Sequence, residues 1–193
     1  MEKLQQLYLK MVSYYAGDPL HIQHFVKVHS FARLIGEKEG LDEKTQLILE
    51  AAALVHDIGI RPAQEKYGSS NGKLQEKEGP VCAEAMLKEL GFDREVTERV
   101  SYLVGHHHTY SNIDGMDYQI LVEADFLVNY FEDHMEKESI RVSVEKIFKT
   151  KTGTELAKEM FFPEKIQLSE TWAQDALQDL EDWIEEQGIY IRQ

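Results

Sequence analysis

Cysteine is nearly absent from this chain. Cys82 is the only one in 193 residues, so no disulfide can close within it, and a lone thiol reads as a small buried apolar residue in a reducing compartment. Proline and glycine are also sparse, with four and twelve respectively. The long Glu-, Lys-, Leu- and Ala-rich stretches between them favour helix over sheet. Basic residues are outnumbered, 21 Lys and Arg against 35 Asp and Glu, for a net charge of -14. That balance excludes a general basic face for duplex nucleic acid. It leaves room for a small anionic substrate, because a bound metal reverses the local potential within an acidic protein. No apolar run resembles a signal peptide or a membrane span, so the expected location is the cytoplasm, with no membrane partner.

What is present is helical periodicity. Leu4, Leu7 and Met11 recur at helical spacing over residues 2–15. Gly17-Asp18-Pro19 stops that helix, and a second spans about 20–38 before Gly40. Asp42 caps a third that runs to about Ile58. Residues 59–77 are rich in Gly, Pro, Ser and Asn and read as a surface loop, with Gly79-Pro80 opening the next helix. Further helices end at the triplet His106-His107-His108 and cover about 117–133. A last one, about 168–187, carries a Trp172/Trp183 stripe that either packs on the domain or forms a homodimer contact. The expectation is an all-α, single-domain helical bundle over residues 1–193.

The chemistry-bearing residues fall at the edges of the apolar segments. His56-Asp57 ends EAAALVHDIGI, where Gly59 permits the chain to turn away, His24 lies mid-helix beside Phe25-Val26, and Asp125 sits inside VEADFLV. A carboxylate and imidazoles buried without partners are costly, and a divalent cation would pair them. Singly, each has a bland reading: a hydrogen-bonded helix histidine for His24, a solvated run for the triplet, a lysine or arginine partner for Asp125. Together on one helical chain they point to a metal site. His21 and His29 read as surface or packing residues.

Through HFVKV, AAALVHDIG, EGPVCAEAMLKELG, VSYLVGHHHT and EADFL, the sequence resembles the HD-domain superfamily of metal-dependent phosphohydrolases. The likeness covers about residues 20–130 and leaves a C-terminal helical extension over about 135–193. It implies one or two divalent ions (Mn, Fe, Mg, Zn, Ni or Co), with His24, His56, Asp57 and Asp125 as core ligands and Asp57 bridging to a second ion. Positions matching the second-ion ligands of dinuclear members are Glu78, where a histidine is usual, and His106 with His107 adjacent. The lysine that often follows the pair in that family is replaced here by Ile60-Arg61. Arg61, Lys27 and Lys73 are candidates for contacting phosphate, with solvated side chains as the plain alternative.

The implied activity is hydrolysis of a phosphate monoester or diester of a nucleotide by metal-activated water, with Asp57 at the ions and His107 either a ligand or a proton donor to the leaving oxygen. Lys27 is the third residue assigned to catalysis. Two other readings stay open: a di-iron oxygenase, which suits the mixed His/carboxylate shell that Glu78 would give, and a non-catalytic module that binds metal and nucleotide.

Overall fold

The structure, a computed structural model, describes residues 3–163 together with Gln178 and Asp182. The chain divides into two units, Met1–Phe161 and Phe162–Gln193. The expected helix over about 168–187, with its Trp172/Trp183 stripe, lies outside the described residues apart from those two positions.

Among the described residues the architecture is nine α-helices and no strand. They are α1 (Lys3–Tyr14), α2 (Pro19–Glu39), α3 (Glu43–Val55), α4 (Ile60–Tyr67), α5 (Gly72–Glu89), α6 (Arg94–Val104), α7 (Met116–Glu132), α8 (Lys137–Ile147) and α9 (Lys151–Phe161). The expected all-helical class is what the fold is. None of these helices is long and apolar enough to cross a membrane.

Local chemistry fixes the ends of the elements that matter for the site. Asp18 accepts from the His21 amide at the start of α2, Pro19 occupies the first turn, and Gly40 closes the helix in the left-handed region at φ 76°. Asp42 accepts from the amides of Lys44 and Thr45 at 3.0 and 3.1 Å, which starts α3. From Ile48 to Val55 every residue of α3 is buried, and α7 is buried almost throughout from Asp117 to Val128. Helices α2, α3 and α7 pack against one another, and α5 and α6 pair as a hairpin whose second helix lies against α3. Helices buried on nearly all sides, as α3 and α7 are, belong at the centre of such a bundle.

The stretch expected as a loop over 59–77 is mostly helix. Residues 60–67 form α4 and α5 already begins at Gly72, so only 68–71 connect them. Pro62 falls in the first turn of α4, where its missing N–H costs no hydrogen bond. Pro80 does not open a helix but lies inside α5, so tertiary packing on α4 and α6 outweighs one lost backbone bond. Gly59 has ordinary helical angles, φ -73° and ψ -15°. Its role is therefore close approach and not conformational freedom: a Cβ there would meet the Gln75 carbonyl oxygen at 2.4 Å and the Gly79 nitrogen at 2.9 Å. Cys82, expected to be buried, is a free and only half-buried thiol.

Candidate metal centre

Four elements deliver side chains to one point at the centre of the bundle. His24 projects from the second turn of α2 and Asp125 from the middle of α7. His56 and Asp57 occupy the turn that ends α3, and His107 the turn that ends α6. The His56-Asp57 turn is held from outside by the end of α1 and the residue after it: the Tyr15 hydroxyl donates to the Asp57 carbonyl at 2.7 Å, and the Tyr14 hydroxyl to the Ile58 carbonyl at 3.1 Å. The Asp57 carbonyl also accepts from the Ile60 amide at 3.0 Å, so Tyr15 adds a second bond there while Tyr14 pairs the Ile58 carbonyl, and together they orient the turn.

His24 Nε2 lies 3.1 Å from His56 Nε2, 3.2 Å from Asp125 Oδ1 and 3.5 Å from Asp57 Oδ2. His56 Nε2 lies 3.4 Å from Asp57 Oδ2 and 3.6 Å from Asp125 Oδ1. An ion bound at about 2.1 Å by nitrogen and oxygen separates adjacent ligand atoms by about 3.0 Å in an octahedron and 3.4 Å in a tetrahedron. The observed spacings are therefore those of the edges of a coordination polyhedron. On its other side, Asp57 Oδ1 stands 3.4 Å from His107 Nε2. The ligand atoms of Asp57, His107 and His108 also converge within 4.8 Å of one another.

Hydrogen bonding turns the correct nitrogens inward. The Nδ1 atoms of His56 and His107 face the carbonyls of Ala53 and Val104, both at 2.9 Å, so they carry the proton and donate. That leaves the lone pair of each neutral ring on Nε2. His107 Nε2 is fully buried and has no hydrogen-bond partner among the described residues. An orphaned buried nitrogen costs about 1–3 kcal/mol, and a cation beside Asp57 would satisfy it. Two imidazole lone pairs directed at each other across 3.1 Å, as at His24 and His56, likewise require a positive charge between or upon them.

The electrostatics carry the same message. Burial works against charge on His56, but the neighbouring Asp57, aided by Asp125, more than offsets it and holds the imidazole protonated well above its ordinary range. Burial alone would raise Asp57 and Asp125. His56 together with His107 holds the first carboxyl below the usual range, and His24 with His56 holds the second there. The cluster thus needs cationic charge, as protons or as metal. His108 is different: burial, with His107 next to it, lowers it to about 4, so its ring is neutral at neutral pH and can ligate. The residues fit a divalent ion.

Not every residue expected at the site arrives there. Glu78 is turned away, accepting from Tyr67 Oη at 2.7 Å and Lys66 Nζ at 3.1 Å. Its position one turn of α5 beyond Gln75 puts a surface lysine and tyrosine within closer reach. His106 stacks on Tyr102, ring centroids 4.1 Å apart, with Nδ1 on the Tyr102 carbonyl at 2.7 Å. In its place His108 joins Asp57 and His107, since successive residues of a turn point to different sides. Lys27 pairs with Glu132, Arg61 donates to the Tyr14 carbonyl and lies over the rings of Tyr14 and Tyr15, and Lys73 is exposed.

Besides Tyr14 and Tyr15, three supporting residues escaped the sequence reading. Asn129 donates to Asp125 Oδ1 at 2.9 Å, and its i,i+4 spacing on α7 was a usable signal. Gln75 Oε1 meets His108 Nε2 at 3.1 Å, and Glu132 meets His24, each across a separation in sequence that no local pattern reveals.

Comparison with known proteins bears on this arrangement. A model of the HD domain matches residues 22–189. The solved structure of a predicted HD superfamily hydrolase from an uncultured Thermotogales bacterium superposes with a TM-score of 0.59 at 23% identity, covering 93% of this chain and 92% of that one. At that identity the likeness speaks to the fold. No curated protein matches the sequence.

Proposed function

The chain belongs to the HD-domain family, and on that premise we propose that it is a metal-dependent phosphohydrolase acting on a phosphate monoester or diester, with a nucleotide as the substrate class. The observation that carries the reading is the two-sided use of Asp57. One carboxylate oxygen faces His24 and His56 at 3.5 and 3.4 Å, and the other faces His107 at 3.4 Å. A carboxylate presented in this way is suited to bridge two ions. His24, His56, Asp57 and Asp125 would hold the first, and Asp57, His107 and His108 the second.

Divalent ions in such a site polarise a phosphoryl oxygen and bring the pKa of water toward neutrality. The protein's own residues do the rest. Tyr15 and Tyr14 fix the turn that aims Asp57, and Asn129 holds one Asp125 oxygen so that its carboxylate keeps a single orientation. With its proton on Nδ1, His107 presents the Nε2 lone pair toward Asp57, which is the arrangement of a ligand and not of a proton donor. Tyr110, half-exposed and tilted at 53° against Phe126 with ring centroids 5.0 Å apart, offers an aromatic face for a base near Asp125.

The oxygenase alternative loses the extra carboxylate ligand that favoured it, because Glu78 is engaged with Lys66 and Tyr67. The test is elemental analysis of the purified full chain, then a panel of phosphomonoesters and diesters that includes nucleotides, assayed separately with Mn, Mg, Fe, Zn, Ni and Co. Hydrolysis by the wild type and its loss in Asp57→Ala are expected. Full turnover by Asp57→Ala, or metal and nucleotide binding without any turnover, would overturn the assignment.

A further inference from the structure

His24 differs from His56 and His107 in what holds its outer nitrogen. His56 and His107 sit in turns, and each donates from Nδ1 to a carbonyl three residues back. His24 lies inside α2, where the neighbouring carbonyls are committed to the helix. Its Nδ1 instead meets Glu132 Oε2 at 2.7 Å, the carboxylate of a residue 108 positions away at the C-terminal end of α7. The other Glu132 oxygen accepts from Lys27 Nζ. Lys27 is one turn beyond His24 on the same face of α2, so two neighbours on one helix grip a single carboxylate from the next.

A short polar chain results: Lys27 to Glu132, Glu132 to His24 Nδ1, and His24 Nε2 into the cluster, 3.2 Å from Asp125 Oδ1. Glu132 follows Asp125 by two turns of α7. One helix therefore provides both a ligand carboxylate and the carboxylate that orients the histidine opposite.

We propose that Glu132, neutralised by Lys27, is the positioning residue for His24, and that this pair sets the ion affinity of the first site. The proposal rests on the metal reading above. Glu132 fixes the proton on Nδ1, so that Nε2 presents its lone pair to the ion, and it strengthens that nitrogen as a donor. Removing such an outer partner weakens metal binding by roughly 10- to 100-fold. Lys27 thereby has a role distinct from contacting phosphate: it keeps the Glu132 charge from adding to a pocket that already holds Asp57 and Asp125.

The experiment is calorimetric titration of Mn(II) into the chelator-stripped full chain, wild type against Glu132→Ala and Glu132→Gln, with the melting curve of each stripped protein. The expected result is a 10- to 100-fold rise in the Kd of the first site in Glu132→Ala. The amide oxygen of Glu132→Gln still accepts from Nδ1, so this variant shows a smaller rise. If the alanine variant does not fold, the glutamine variant decides. Long-range imidazole nitrogen spectra of the Zn(II)-loaded wild type should show the proton of His24 on Nδ1. A Kd unchanged in both variants, with only the melting temperature of the stripped protein lowered, would reduce Glu132 to a clamp between α2 and α7 and overturn the proposal. A wild type that binds no Mn(II) would instead remove the metal reading itself, and this proposal with it.

Discussion

Stripping the metal at different pH values probes the charge balance of the centre. The folded value of His56 lies well above its ordinary 6.5, because Asp57 and Asp125 outweigh burial. The stability this contributes to the metal-free protein is fully present below pH 6.5 and is lost as pH climbs through the raised value. Asp57 and Asp125 act in the opposite sense. Their folded values lie below the ordinary 3.8, so their contribution is present above that value and lost only as acid reaches the depressed ones. The contribution of these three groups to the stripped protein is therefore greatest between 3.8 and 6.5 and declines above, whereas His108, lowered to about 4, acts in the opposite sense as pH falls below 6.5. An ion competes with the proton on His56, so its contribution grows over the same rise. At a free-ion concentration of 100 Kd the folded state gains about 2.7 kcal/mol. For a chain of this size each kcal/mol moves Tm by roughly 2–4 °C, which makes the chelator effect roughly 5–11 °C. The assay is a melting series with Mn(II) and with EDTA from about pH 6 to about pH 8.5, where the gap should widen with pH. A gap that is constant, or that narrows, would refute the assignment of protonated His56 as the group displaced.

Other outcomes follow from packing and placement. Gly59→Ala drives a methyl to 2.4 Å from the Gln75 carbonyl oxygen, and overpacking of this kind costs about 1–3 kcal/mol in urea unfolding; an unchanged midpoint would show that the α5 approach is looser. Glu78→Gln should leave both ion stoichiometry and turnover intact, because its carboxylate is occupied by Lys66 and Tyr67; loss of an ion would restore it as a ligand. Tyr110→Ala should raise KM for a nucleotide while sparing a small phosphate ester, in keeping with about 1–3 kcal/mol per stacked base, and equal effects on both substrates would deny it a base-binding role.

The legible part of the molecule was that in which chemistry and spacing agree locally. Asp18, Asp42, Gly40 and the apolar run from Ile48 to Val55 marked α2 and α3 within a few residues. His24, His56, Asp57 and Asp125 stood out because polar ligand types interrupt apolar stretches, and those four are what the fold gathers. The segment 59–77 misled because its Gly, Pro, Ser and Asn were weighed as loop signals. Pro62 and Pro80 are both tolerated within helices once α5 packs on α4 and α6. Choosing among His106, His107 and His108 required knowing how a turn rotates each ring, which spacing alone does not encode. Glu132, Tyr14 and Tyr15 act across long separations in sequence, so only the packed bundle reveals them.

The claim on which most depends is that Asp57 joins two ion sites. Its most direct measurement is the number of Mn(II) ions bound per stripped chain, by calorimetry, in the wild type and in His107→Ala. Two ions in the wild type and one in the variant are predicted, since His107 serves only the side of Asp57 away from His24 and His56. A single ion in the wild type, retained unchanged in His107→Ala, would contradict the bridge.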